Sequence, residues 1–198
     1  PFPKIDEPIT IVVPDQFRWS DLLAVYEALT INNKLPEIKL IRTEDAKTDV
    51  LENSHVIFIG GKKQHELLQD EVLAVHYNNN EPDLTEHGFF NVSEFAFIQN
   101  NPWNKDYALV VFDAVSSTDQ YVPKEFAASL KMLGDNAKIA VNGIDGKVHT
   151  NEAQVTEKNL MQKLTSNMLD SNSFYLFFLS LFVVIALIIY VWRKRKKK

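Results

Sequence analysis

ITIVVPDQFRWSDLLAVYEALT, residues 9–30, decides the fold class. Its first five residues are a short continuous apolar run rich in β-branched side chains, the pattern of a strand buried on both faces. Pro14-Asp15 ends it. Residues 18–30 then follow helical spacing, with Leu22, Leu23, Tyr26 and Leu29 expected on one face and Asp15 or Ser20 as the cap. A buried strand feeding an amphipathic helix is the opening unit of an α/β domain.

The rhythm continues outward from this unit. Residues 37–41 (EIKLI) read as a second strand, and residues 44–51 as a short turn. Residues 55–59 (HVIFI) form a third buried strand, stopped by Gly60-Gly61, and residues 62–75 read as a helix. These pieces predict a parallel sheet covered on both faces. Beyond them the pattern changes. Residues 91–98 (NVSEFAFI) alternate, and residues 107–113 (YALVVFD) form a buried strand. The turn formers of residues 99–106 lie between the two, so they predict a hairpin. Residues 120–133 read as a helix stopped by Gly134. Residues 137–141 and 147–149 flank Asn142-Gly-Ile-Asp-Gly146, a second hairpin. The expected sheet is mixed, mainly parallel, with antiparallel strands at one edge.

Charge divides the chain. The formal net charge of −5 over 198 residues hides a basic tail, Arg193, Lys194, Arg195, Lys196, Lys197 and Lys198. The other 192 residues carry 15 Lys and Arg against 26 Asp and Glu, a balance of −11. Such a body repels phosphate backbones, so no nucleic-acid partner is expected. The absence of Cys excludes disulfides, thiol catalysis and Cys-ligated metal.

Residues 174–192 (FYLFFLSLFVVIALIIYVW) hold no charge. As a helix they would span roughly 28 Å, close to the hydrocarbon thickness of a bilayer. Aromatic residues at both ends suit the headgroup region. The basic tail sets a single-pass topology, with residues 193–198 cytoplasmic and the N-terminal body extracytoplasmic. An outward body needs an export signal and none is visible, so the chain is expected to be processed or a fragment. Phe178, Phe182, Ile185 and Ile189 recur on one side of the span, either as a face for a partner helix or as part of a plain anchor with lipid on all sides. Before the span, residues 154–173 carry Leu160, Met161, Leu164 and Met168 on one helical face, either in the outer membrane interface or packed on the body. Residues 1–8, with three prolines, read as a linker, and residues 9–153 as the domain.

Candidate chemistry is sparse. The loop Pro14-Asp15-Gln16-Phe17-Arg18-Trp19 makes a poor phosphate cradle: Pro14 lacks a donor, Asp15 repels anions, and two residues are bulky. Gly60-Gly61-Lys62-Lys63 brings two cations after a strand but lacks the Walker spacing. His65, His76 and His87 recur every eleven residues, but Asn78-Asn79-Asn80 and Pro82 interrupt any shared helix. Asp83, Glu86 and His87 form an acidic cluster without a third converging group. Ser116, Ser117 and Thr118 follow the strand ending at Asp113 without a nucleophile elbow. Asn91-Val-Ser93 is a glycosylation sequon only in a eukaryotic secretory pathway. Trp19 and Trp103, both in expected loops, are candidate sugar-stacking platforms. No cofactor, metal or catalytic residue is expected.

The segments PITIVVPDQFRWSDLLAVYEAL, HVIFIGG, FAFIQNNPWNKDYALVVFDA and NGIDGK, with the span and basic tail, together carry a family resemblance. They resemble the C-terminal part of the membrane-anchored, non-catalytic subunit of bacterial cellulose synthase. The resemblance covers nearly the whole chain through short motifs, none of them catalytic. It implies a flavodoxin-like three-layer α/β domain with jelly-roll domains upstream of Pro1. It also implies a single transmembrane helix that packs on a polytopic glycosyltransferase, with the body guiding nascent glucan outside the membrane. Two other readings compete with it: a stand-alone anchored binding or regulatory module, and an outward-facing hydrolase built on Asp83, Glu86 and His87.

Overall fold

In the computed structural model, described for residues 7–30, 36–115, 127–134, 138–143 and 145–151, the apolar run Ile9–Val13 forms strand β1 and is buried throughout. Helix α1, Trp19–Leu29, follows it. Strand β2, Ile38–Arg42, pairs parallel to one side of β1, and β3, His55–Ile59, pairs parallel to the other. Between them lies the short helix α2, Thr48–Leu51. Strand β7, Ala108–Ala114, extends the parallel set beside β3. β6, Val92–Asn100, then runs antiparallel to both β7 and β8, Ile139–Gly143. β9, Val148–Asn151, closes the row antiparallel to β8. The order among described strands is β2-β1-β3-β7-β6-β8-β9. A separate small hairpin joins β4, His76–Asn78, to β5, Glu81–Asp83.

Strand alternation builds two cores, one on each face of the sheet. In β3, Ile57 and Ile59 face one way while Val56 and Phe58 face the other. In β6, Ala96 and Ile98 oppose Phe95 and Phe97, and in β7 Val110 and Phe112 oppose Leu109 and Val111. The first core is covered by α1 through Leu22, Val25, Ala28 and Leu29, together with Leu130 and Leu133. The second is covered by Leu51 of α2, Leu68, the run Leu73, Ala74 and Val75, Tyr77 of β4, and Leu84. The result is a three-layer α/β arrangement on a mixed sheet. Each fully buried Phe contributes about 1.5–3 kcal/mol of apolar burial, which makes Phe58, Phe95, Phe97 and Phe112 the heaviest anchors of the two cores.

The chain divides into two compact units, Pro1–Thr156 and Glu157–Lys198. The second unit lies outside the described residues. So do the expected interfacial stretch, the span with Phe178, Phe182, Ile185 and Ile189, the basic tail, and most of the linker. Among the described residues no helix is long and apolar enough to cross a membrane.

Four local expectations are corrected. Residues 62–75 form no continuous helix: a turn leads into a 3-10 turn at Glu66–Leu68 and then irregular turns and bends. Tertiary side-chain bonds replace the helical ladder here. Lys62 Nζ donates to the carbonyls of Gln69 and Glu71. The Gln99 amide accepts from Ala74 N–H at 2.6 Å and donates to Val72 O. Second, residues 76–83, read only as an interruption of any shared helix, form the β4–β5 hairpin. Asn79 and Asn80 take φ of 51° and 65°, the left-handed pair of a two-residue hairpin turn, which Asn tolerates well. Third, neither Asp15 nor Ser20 caps α1; Arg18 stands at the N-cap without a side-chain bond, and Ser20 Oγ donates to Asp21 instead. Fourth, Leu23 is 60% exposed, because the buried face of α1 is centred on Ala24, Val25 and Ala28. Of the expected helix over residues 120–133, only the end is described, with a 3-10 turn at Ala128–Lys131.

Candidate functional site

The strand directions bring the ends of β1, β3, β7 and β8 and the starts of β6 and β9 to one edge of the sheet. This carboxyl edge of the parallel strands is where α/β folds place ligands, above all at the point where strand order reverses. Here that point lies between β1 and β3.

The chain's own side chains fill it. His65 is fully buried, with Nε2 2.9 Å from the carbonyl of Ile59 and Nδ1 2.9 Å from Thr43 Oγ1. A carbonyl only accepts, so Nε2 carries the proton. Thr43 Oγ1 also lies 3.1 Å from the carbonyl of Val13. The imidazole thereby bridges the end of β3 and the turn after β2, and the single Thr43 hydroxyl proton serves either His65 Nδ1 or the Val13 carbonyl at the end of β1. Burial pushes the His65 imidazole down to about 4, only partly offset by its bond to Ile59, so the ring is neutral at physiological pH. Phe58 meets it edge-on at 4.7 Å between centroids.

Beside it, Asp113 at the end of β7 is buried. Tyr77 donates its hydroxyl to Asp113 Oδ2 at 3.0 Å, and Ala114 N–H donates to Oδ1 at 2.8 Å. Desolvation, with the adjacent Asp113 charge and hydrogen bond, pushes the Tyr77 phenol well above its usual value. Gly61 presses against this carboxylate so closely that a Cβ there would stand 1.8 Å from Asp113 Oδ2. Only glycine fits, and for a packing reason: its φ is not in the left-handed region.

These contacts settle the fate of Gly60-Gly61-Lys62-Lys63. The Gly61 N–H is taken by Gln64 Oε1 at 3.1 Å, Lys62 by two carbonyls, and Lys63 by Glu81 at 3.2 Å. A carboxylate stands where a phosphate would need donors, so the segment is a turn.

The three histidines do not converge. His65 is internal, His76 bonds Asn78 Oδ1 at 2.8 Å, and the carbonyl of His87 accepts from Asn151. Asp83 caps a turn: its Oδ1 accepts from the Thr85 N–H and hydroxyl, and its Oδ2 from Asn78. Among the described residues no group of three or more His, Cys, Asp or Glu side chains is placed to hold a metal ion. Ser116, Ser117 and Thr118 lie outside the described residues.

The two tryptophans occupy opposite edges. Trp19, 71% exposed, stands on the carboxyl edge at the start of α1, edge-on to Phe17 at 5.0 Å. Trp103 lies at the far end, in the β6–β7 turn, packed against the second core with Phe58 6.2 Å away. Its backbone N–H donates to Asn101 Oδ1, and the Asn101 side-chain amide in turn donates to the carbonyls of Leu51 and Ser54. That bonding gives Trp103 an anchoring role.

One residue at this edge is not marked by sequence pattern. Phe90, 69% exposed, stands on the carboxyl edge between two open depressions of about 350 and 600 Å³ that share Phe89, Phe90, Asn91 and Val92. Its neighbour Phe89 packs inward against the second core. The only sequence signal is the Phe-Phe-Asn run itself, in which Asn91 takes φ 56° just before β6.

No protein-family model and no curated protein matches the chain.

Proposed function

We propose that the chain is a non-catalytic, membrane-anchored subunit of a bacterial cellulose or related exopolysaccharide synthase. In this reading a flavodoxin-like body stands outside the membrane, and the span over residues 174–192 packs on a polytopic glycosyltransferase. The observation that carries it is the profile of the C-terminus: 19 uncharged residues, aromatic at both ends, followed at once by six cations. The resemblance of the body's segments to the anchored component of cellulose synthase selects the partner. The body's chemistry favours support over catalysis. His65, Tyr77 and Asp113 occupy the strand-end positions where a flavin phosphate or a reacting group would stand, and each is spent on holding the fold.

The test has two arms. Mild solubilisation of the full chain should carry a polytopic glycosyltransferase with it. Deleting residues 154–198 should abolish polymer synthesis by the membranes; unchanged synthesis overturns the proposal.

A further inference from the structure

Asn142-Gly143, at the end of β8, is the one Asn-Gly step in the chain. An asparagine amide before glycine is chemically labile, because the glycine nitrogen has no Cβ beside it and reaches back to the asparagine Cγ at little steric cost. In that reaction the Gly143 nitrogen gives its proton to solvent and bonds to Asn142 Cγ. The Cγ–Nδ2 bond breaks, and ammonia leaves. Water then opens the cyclic imide at one of its two carbonyls, which yields either aspartate or isoaspartate. The turn favours glycine here: a Cβ at 143 would stand 2.6 Å from Asp145 Oδ1, an oxygen held by the Lys147 N–H at 3.1 Å.

The fold engages both reacting nitrogens elsewhere. The Gly143 N–H donates to the Lys147 carbonyl at 3.0 Å, across the β8–β9 hairpin. Asn142 Nδ2 donates to Glu94 Oε2 at 2.8 Å, across the β6–β8 pair. Ring closure swings the Gly143 nitrogen toward the side chain, so it breaks the bond to Lys147 and the end of the β8–β9 ladder. That ladder holds four registered pairs, and β9 has no second neighbour among the described strands. Such an edge opens at less cost than the whole body unfolds. The products do not fit the closed state. Asn142 stands opposite Glu94 in the β6–β8 register, so a carboxylate at 142 replaces a charge-assisted hydrogen bond by two like charges face to face. Isoaspartate also adds a carbon to the β8 backbone and upsets its register. We propose that Asn142 is a deamidation site gated by the β8–β9 hairpin. The closed hairpin suppresses the reaction, and the product formed in the open state keeps the hairpin from closing again.

The test incubates the full chain in nanodiscs, and the same chain in guanidinium, in mildly alkaline buffer, and follows conversion at Asn142 by peptide mass spectrometry. The folded chain should react at least about tenfold more slowly than the denatured one. Equal rates overturn the gate, and absence of conversion at Asn142 in the denatured chain overturns the site. Hydrogen exchange tests the closure. Asn142→Asp should speed exchange over β8 and β9 at least about tenfold. Adding Glu94→Gln should restore protection, because the introduced amide donates to the introduced carboxylate. Unchanged exchange in the single variant, or no recovery in the double variant, overturns the claim that the product holds the hairpin open.

Discussion

The carboxyl edge of the sheet has two halves that differ in what occupies them. Over β1, β3 and β7, where strand order reverses, the edge is filled with buried polar groups that satisfy one another: His65 with Thr43 and Ile59, Tyr77 with Asp113, and Gly61 packed beneath. Over β6, β8 and β9 the same edge is open, with an exposed ring between two depressions. The contrast separates two jobs that α/β folds often combine at one crevice. The parallel half buries its polar residues at this edge, whereas the antiparallel half, where Ser93, Glu94 and Asn142 bond one another part-buried, also keeps an aromatic ring in solvent.

On that division, substitutions in the filled half should move stability strongly, and those at the exposed ring of the open half should move it little. The largest effect is expected from acid. Unfolded His65 takes up its proton near pH 6.5, whereas the folded ring resists until about 4. The His65 contribution to stability is therefore full above pH 6.5 and is lost as pH drops toward 4, by on the order of 3 kcal/mol. Denaturant midpoints measured across that range should show the fall, and His65→Gln should flatten it; an equal slope in the variant would remove His65 from the account. Gly61→Ala comes next, at about 2 kcal/mol, because Asp113 is held by two bonds and cannot simply withdraw. Thermal unfolding of the body reads this directly. Tyr77→Phe should cost about 1 kcal/mol by leaving Asp113 Oδ2 without its buried donor. Smallest of all, Phe90→Ala should shift stability by less than about 0.5 kcal/mol. A Phe90 variant that unfolds as readily as the Gly61 variant would erase the distinction between the two halves.

The parallel half is largely legible in the sequence, for a physical reason. Strands buried on both faces must be apolar at every position, so ITIVV and HVIFI stand out without any partner being known. The antiparallel hairpins of the main sheet are legible through their turns. The helix expected over residues 62–75 does not form because its backbone finds better partners far away in sequence. Gln99 is 25 residues from Ala74, and no local pattern encodes such a bond. The β4–β5 hairpin is hidden because Asn79-Asn80 breaks a helix and turns a hairpin equally well; the same two residues tolerate the left-handed turn that pairs the strands. At the site, Trp19, expected in a loop, is exposed but stands as the first residue of α1. Phe90 is invisible, since nothing in a Phe-Phe pair says which ring will be buried until the neighbouring Asn91 fixes the direction of the chain.

The position of β9 also decides how the body answers to mechanical load. β9 pairs only with β8 among the described strands, and its chain runs from the carboxyl edge to the opposite edge, ending at Asn151. Tension applied at Asn151 enters the sheet at that corner. A pull along the strand axis strains the four registered β8–β9 pairs together, so the resistance is shared. A sideways pull opens them singly, starting where Asn151 faces Ile139 and where the Asn151 amide grips the carbonyl of His87. The body is thus stiff to axial traction and peels under lateral traction, and the corner that bears the load lies at the opposite edge of the sheet from Phe90.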